Sequence, residues 1–260
     1  MAEAPSAATQ RQPHLPPAYR LVTRDSVGST NEEARRLARE DAEDGTLIWA
    51  REQTSGRGRA GHHWTSPRGN LYLSLVLRPE CSAQEAAQLS FVAALGVGDA
   101  VGSAAPPMVE VLYKWPNDVL FNDRKGAGIL LESELTSDGG LAWLVLGCGI
   151  NVASHPEESA SPATSLRFEG APAELSEVDL LEAFGRHFLA WTNRWLEDGF
   201  APIRKQWLSH AKGLGEIIDV RLPRETLSGR FADLDDSGAL VLELPDGSSR
   251  RIAAGEVYFP

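Results

Sequence analysis

Along residues 70–78, "NLYLSLVLR", the side chains alternate: Leu71, Leu73, Leu75 and Leu77 project one way, Tyr72, Ser74 and Val76 the other. A period of two marks a strand, and an all-leucine side predicts a sheet with one face well buried. Upstream, "STNEEARRLARE" has helical spacing, with Ser29 or Thr30 as N-cap and Glu32 or Glu33 completing a capping box. "GTLIWAREQ", between the two, has strand character. "SAQEAAQLSFVAALGVGDAVG" opens on another capping box, Ser82 with Glu85, and predicts a helix. The strand "MVEVLYKW" comes next, then a hairpin in "PNDVLFNDRKGAGILLESEL" turning at Asn122-Asp123, then the apolar strand "LAWLVLGCGINV". In "SEVDLLEAFGRHFLAWTNRWLEDG", Leu180, Leu181, Phe184, Phe188, Trp191 and Trp195 recur at helical spacing, which predicts an amphipathic helix. A shorter helical piece runs through "PIRKQWLSHA".

From residue 215 the texture changes to short strands separated by DDSG and PDGS turns. About 45 residues in that pattern predict a small barrel of roughly five strands. At the other end, residues 1–18 are rich in Ala, Pro and Gln without periodicity and are expected to be disordered. The expected organisation is a tail over 1–18, a main domain over 19–212 and a small domain over 213–260.

Composition narrows the function. With 42% hydrophobic residues and seven tryptophans, the 260-residue chain has ample material for a core. A net charge of −11 argues against sequence-independent DNA or RNA binding over the whole surface, though not against a local basic pocket. Cys81 and Cys148 are the only cysteines, which excludes a disulfide framework and points to a reducing, cytoplasmic setting. No signal-peptide pattern opens the chain, and no uncharged apolar run reaches the roughly 18 residues of a membrane helix.

Candidate chemistry lies in three clusters. "QTSGRGRAGHHW", residues 53–64, places Gly56, Gly58 and Gly61 at dinucleotide-turn spacing. A Rossmann turn must open a helix, whereas Pro67 and Gly69 follow here and the chain becomes a strand. A P-loop fails too, because His62 stands where lysine is required. What remains is a backbone that can approach a ligand closely and two guanidiniums, Arg57 and Arg59, whose forks suit carboxylate and phosphate oxygens. The second cluster, "KWPNDVLFNDRKGAGILLE", holds Lys114, Asn117, Asp118 and Lys125, with Gly126, Ala127 and Gly128 small enough for backbone to lie against a ligand. The third, "GCGIN", sets Asn151 after a buried strand, where Cys148 is expected as a small core residue. His62 and His63 have no third ligand nearby in sequence, so no protein-bound metal is expected.

In this order the clusters resemble the catalytic domain of biotin–protein ligases. That family carries a GRGR-x-G loop ending in Trp and Ser-Pro, then KWPND, RK-x-AG-I-L-x-E and G-x-GIN; this chain has them at residues 56–67, 114–118, 124–132 and 147–151, with Ser29-Thr30-Asn31 matching the family's STN. The resemblance covers roughly residues 19–260. It implies an α+β fold, a mixed sheet with helices on one face related to class II aminoacyl-tRNA synthetase cores, plus a C-terminal SH3-like barrel. It also implies a reaction: biotin and MgATP form biotinyl-5′-AMP, and a lysine of a biotin carboxyl carrier domain attacks the activated carbonyl.

The resemblance further implies catalytic roles for Lys125, Arg59 and Arg57, and a biotin site of Ser29, Thr30, Asn31, Gln53, Arg57, Gly58, Arg59, Lys125 and Gly128. ATP is expected at Arg59, Trp64, Lys114, Asn117, Asp118 and Asn151, with Trp64 closing over adenine. ATP with substrate-bound Mg2+ is the implied cofactor. The carrier domain is the implied partner, with no DNA, no membrane, and a monomer or weak homodimer. The loop over residues 55–64 is expected to order on the ligand and exclude water. Relatives with an N-terminal winged helix also act as repressors; Ser29 begins the motif here, so the monofunctional kind is expected. Ala60, His62 and His63 depart from the basic residues of many relatives. The competing readings are a lipoate ligase or octanoyltransferase of the same superfamily, which lacks GRGR followed by KWPND, and a nucleic-acid-binding regulator, which needs a basic face.

Overall fold

A computed structural model describes residues 11–158 and 161–259. Its chain runs through β1 (Arg20–Arg24), α1 (Thr30–Arg39), β2 (Thr46–Ala50), β3 (Leu71–Leu77), α2 (Ala83–Ala86), α3 (Leu89–Ala104), β4 (Val111–Lys114), β5 (Asp118–Phe121), β6 (Arg124–Leu135) and β7 (Leu141–Ile150). α4 (Glu177–Asp198), α5 (Phe200–Leu208) and five short strands follow: β8 (Ile217–Arg221), β9 (Thr226–Leu234), β10 (Leu240–Glu243), β11 (Ser249–Ile252) and β12 (Glu256–Tyr258). The first seven strands form one sheet in the order β1-β2-β3-β7-β6-β5-β4. β1 and β2 pair in parallel and the other neighbours antiparallel, so the α+β class and the mixed sheet hold.

The leucine side of β3 enters the main core against α3 and α4. The opposite side is buried as well. Val76 packs with Ile48, Val145 and Trp143 beneath Ala34 and Ala38 of α1, and Ser74 is closed from solvent. Helices therefore cover both faces of the sheet, not one. The pattern concealed this because Ser74 reads as a solvent-facing residue, whereas its hydroxyl lies within hydrogen-bond distance of Thr30 and Asn31 of α1. α3 is apolar nearly all round because sheet and α4 enclose it; a Cβ on Gly96 would lie 3.2 Å from the Phe188 backbone, so glycine sets the helix–helix approach. The segment Ala83–Ala104, the one helical stretch among the described residues long and apolar enough to cross a membrane, is this core helix together with the short α2 before it.

The box at Ser82 and Glu85 forms as expected, but at α1 Ser29 is the N-cap without a side-chain cap bond. Glu33 is occupied by Arg24 and Arg36 instead. The β5–β6 turn falls at Asn122 and Asp123, both at positive φ (47° and 65°), as a tight two-residue hairpin requires.

The C-terminal strands correct a second expectation. Among the described residues five strands are present, in the order β11-β10-β9-β8-β12, but β11 and β12 remain separate edges and no barrel closes. β9 is long enough to pair with β8 along its first part and β10 along its second, with an irregularity between Val241 and Leu242, so the sheet bends. Three-residue β12 pairs only with β8. The sheet is joined to the main body through one core containing Phe231, Leu234 and Leu240, and through Trp115, whose Nε1 donates to the Gly238 carbonyl at 3.1 Å.

Residues 1–10 of the expected disordered tail lie outside the described residues; of residues 11–18, Arg11, His14, Leu15 and Pro16 lie against α4 and Ala18 against Gly45. Arg11 reaches Asp179 and Glu182 at 2.5 Å each, the His14 N–H donates to Glu182, and Leu15 and Tyr19 flank Gly185. The periodicity-free stretch is held by ion pairs that composition does not reveal.

Candidate active site

A cavity of about 480 Å³ opens where the N-terminus of α1, the β2–β3 loop, the β4–β5 turn, β6, β7 and β12 meet. Every residue assigned above to the biotin and ATP sites lines it: Ser29, Thr30, Asn31, Gln53, Arg57, Gly58, Arg59, Trp64, Lys114, Asn117, Asp118, Lys125, Gly128 and Asn151. Gly126 and Ala127 do not, because Gly126 packs on the Phe121 ring and Ala127 faces the core. Residues from five separate segments of sequence thus share one space.

An uncharged network forms one part of the wall. The Thr30 N–H donates to Gln53 Oε1 at 2.8 Å, and Gln53 Nε2 donates to Ser66 Oγ at 2.9 Å. Ser66 Oγ donates in turn to the Trp64 carbonyl at 2.8 Å. Ser74 Oγ lies 2.8 Å from Thr30 Oγ1 and 2.6 Å from Asn31 Oδ1. Asn31 can sit this close to the sheet because β7 has Gly147 beneath it: a Cβ there would fall 2.0 Å from Asn31 Oδ1.

A cationic group forms another part. Lys125 Nζ is 2.6 Å from Asp118 Oδ1 and 5.4 Å from the centre of the Trp64 ring. Arg59 Nη1 donates to Asn117 Oδ1 at 3.3 Å, and the Gly255 carbonyl lies 3.5 Å away. Burial holds the pKa of both the Arg59 guanidinium and the Lys114 ammonium below their ordinary values, with Asp118 and Glu256 opposing. Cations that have lost water without full compensation favour an incoming anion. Arg57 lies between Glu32 at 3.5 Å and Glu132 at 3.3 Å.

Trp64 joins the two parts. Its ring covers the paired glycines of β6 and β7; a Cβ on Gly149 would stand 2.6 Å from Nε1 and one on Gly128 3.1 Å from Cζ3. Expected on the nucleotide side, Trp64 thus lies against Gly128, expected on the biotin side. The loop leading to it is a narrow double-back, with Trp64 N–H donating to Gly56 O at 2.9 Å and Gly58 N–H to His62 O at 2.7 Å. Ala60 and Gly61 turn its tip at positive φ (51° and 78°).

The two asparagines have structural duties. Asn117 Nδ2 donates to the Ile129 carbonyl at 2.5 Å, and Asn151 Nδ2 to the Thr164 carbonyl at 2.9 Å. His62 Nε2 is 4.0 Å from Glu256 Oε1, and no metal-holding group of three His, Cys, Asp or Glu exists among the described residues. Cys148 is buried, which pushes its thiol up to about 12, and it also borders the cavity with Leu73 and Ile129. Sequence reasoning missed these apolar lining residues and Glu256, Val257 and Tyr258 of β12. Nothing in "GEVYF" marks it as a cavity wall; only the packing of the C-terminal sheet brings it there.

Residues 15–209 match the profile of the Biotin/lipoate A/B protein ligase family, and residues 213–259 that of the Biotin protein ligase C terminal domain. The chain belongs to the biotin protein ligase family. It is 44% identical over 236 residues to a biotin–[acetyl-CoA-carboxylase] ligase of Paracoccus denitrificans, covering 89% of this chain and 97% of that one. With the corresponding ligase of Mycobacterium tuberculosis it shares 33% identity over 239 residues, covering 89% and 85% of the two chains. Among solved structures, the biotin protein ligase of Aquifex aeolicus in complex with biotin and ATP superposes with a TM-score of 0.76 at 30% identity, covering 92% of this chain and 97% of that one. The pairing of catalytic and C-terminal profiles is the arrangement of a biotin protein ligase, and this chain is an enzyme of that class.

Proposed function

We propose that the cavity activates biotin and passes it to protein, with the uncharged network, Trp64 on its glycine seat and the cationic group acting in that order along one bound biotin. The reaction is ATP-dependent. The biotin carboxylate attacks the α-phosphorus of ATP, pyrophosphate leaves, and biotinyl-5′-AMP forms. A lysine amine of the carrier then attacks the acyl carbonyl, the amide bond forms and AMP leaves with the bonding electron pair.

Thr30, Asn31, Gln53 and Ser29 meet the ureido ring, a neutral group that both donates and accepts. Trp64, seated on Gly128 and Gly149, and the apolar lining take the ring body and aliphatic chain, whose transfer from water is favourable. Lys125, Arg57 and Arg59 meet the carboxylate and the α-phosphate, offsetting the repulsion of two anions and the charge that builds between them. Lys114 adds positive charge for the nucleotide. Mg2+ arrives with ATP as part of the substrate, held by the phosphates; a single cavity carboxylate, Asp118 or Glu256, would add one hard oxygen of the kind it accepts. Asp118 otherwise holds Lys125 in place. Covering the adenylate with the 55–64 loop limits its hydrolysis before the carrier arrives.

The observation that carries this reading is the convergence of Lys125, Arg57, Arg59 and Lys114, from three separate loops and strands, beside a neutral donor–acceptor network in one cavity. The acceptor is the carrier domain of a biotin-dependent carboxylase, the class named for the Paracoccus relative, and the free cysteines suit a cytoplasmic setting. Incubating the protein with MgATP, biotin and a purified carrier domain should place biotin on one carrier lysine. Absence of label, or label formed equally without ATP, contradicts the proposal.

A further inference from the structure

Glu132 lies on β6 outside the cavity lining, yet it touches both the neutral network and the loop arginine. Its Oε2 accepts from Asn31 Nδ2 at 2.8 Å, and its Oε1 from Arg35 Nη1 at 3.1 Å and Arg57 Nη2 at 3.3 Å. An ionised carboxylate only accepts, so Asn31 must turn its NH2 toward Glu132 and its Oδ1 toward Ser74. The Leu130 carbonyl, 3.5 Å from Nδ2, favours the same orientation.

Gln53 is fixed just as firmly at the other end. Its Oε1 takes the Thr30 backbone N–H, a group that can only donate, while its NH2 serves Ser66, whose own proton goes to the Trp64 carbonyl. Between the two amide oxygens runs a chain of contacts: Asn31 Oδ1 to Ser74 Oγ at 2.6 Å, Ser74 Oγ to Thr30 Oγ1 at 2.8 Å, and Thr30 Oγ1 to Gln53 Oε1 at 3.0 Å. Both ends are acceptors and the two hydroxyls bring one proton each, so three contacts share two protons. The chain is one proton short, and one oxygen pair always faces without a hydrogen.

We infer that Glu132 is a positioning residue that keeps this network proton-deficient, so that the cavity wall at Thr30 and Asn31 accepts N–H donors from the substrate. Resting on the biotin reading above, the inference assigns the ureido N–H groups as the donors that fill the deficit. Selectivity for a cyclic urea then comes from a carboxylate that does not touch it.

The isosteric Glu132→Gln tests this directly. Arg35 and Arg57 can only donate, so the glutamine keeps its oxygen toward them and turns its NH2 to Asn31. Asn31 must then flip, and its NH2 donates to Ser74, Ser74 to Thr30 and Thr30 to Gln53. All three contacts become protonated and the wall no longer seeks a donor.

Titration calorimetry with biotin, and with an analogue in which one ureido N–H is replaced by ring oxygen, reads the effect. E132Q is expected to bind biotin about tenfold more weakly, equivalent to about 1.4 kcal/mol. Its preference for biotin over the analogue should fall toward unity, whereas an effect transmitted only through Arg57, which also contacts Glu132, would weaken biotin and the analogue alike and leave their ratio unchanged. Unchanged biotin affinity, or an undiminished preference over the analogue, overturns the inference. So does an equal weakening of biotin and ATP with a lowered unfolding midpoint, which is the pattern of a merely structural role. Failure of the wild-type protein itself to bind biotin overturns the reading on which the inference rests, and is thereby told apart.

Discussion

Lys114 carries its charge 5.8 Å from the centre of the Tyr258 ring and 5.7 Å from that of Phe259, and burial keeps its pKa below the ordinary lysine value. The lowered pKa means the ammonium loses its proton at a pH where an exposed lysine still holds one. If the charged form serves ATP, kcat/KM for ATP, which reports the free enzyme, falls on the alkaline side earlier than an unperturbed lysine allows. Lys114→Gln should lower kcat/KM for ATP at neutral pH and remove that alkaline limb; retention of the limb would assign it to another group. At this scale the sequence was informative wherever residue type dictates chemistry. Arg57, Arg59, Lys114 and Lys125 stood out in the sequence as cations beside small residues and turns, and the fold brings the four to one cavity. Ser74 and Glu132 did not stand out, because their importance lies in which partners they meet across the sheet.

The elements are fixed by local rules that the chain displays openly. Leucines at a period of two gave β3, Ser82 with Glu85 gave the start of α2, and Asn122-Asp123 gave the β5–β6 turn. How the elements meet was less visible. The second buried face of the sheet depends on α1 seating its N-terminus on β7, which Gly147 permits. Gly147→Ala should therefore drive Asn31 off the strand and raise the KM for biotin by at least about tenfold, with roughly 1–3 kcal/mol lost in stability from overpacking. Steady-state kinetics against biotin and ATP separately, with a denaturant titration, measure both. Biotin kinetics unaffected by the methyl group would show that Asn31 does not need its present seat. The unclosed C-terminal sheet belongs to the same scale: strand lengths and turns announce five strands, but closure depends on whether β11 and β12 meet, a long-range pairing with no local signature.

For the whole molecule, the distribution of charge matters more than its sum. A chain of net charge −11 gathers Arg57, Arg59, Lys114 and Lys125 at one cavity, walled partly by the catalytic sheet and partly by β12 of the C-terminal sheet. The family profiles divide the chain between residues 209 and 213, yet the two parts share one hydrophobic core. Such an arrangement suits a reaction in which two anionic substrates meet under cover before a protein nucleophile enters. Its first half is reversible and can be followed without any carrier. The most direct test is therefore biotin-dependent exchange of pyrophosphate into ATP, for the wild-type protein and for Lys125→Ala. Exchange should require biotin, should not occur with lipoate, and should fall by about 10²–10³ in the variant, the loss typical of removing one preorganised charge-stabilising donor. The unfolding midpoint of the variant should remain at the wild-type value. No exchange with biotin, equal exchange with lipoate, or full exchange in Lys125→Ala would contradict the account.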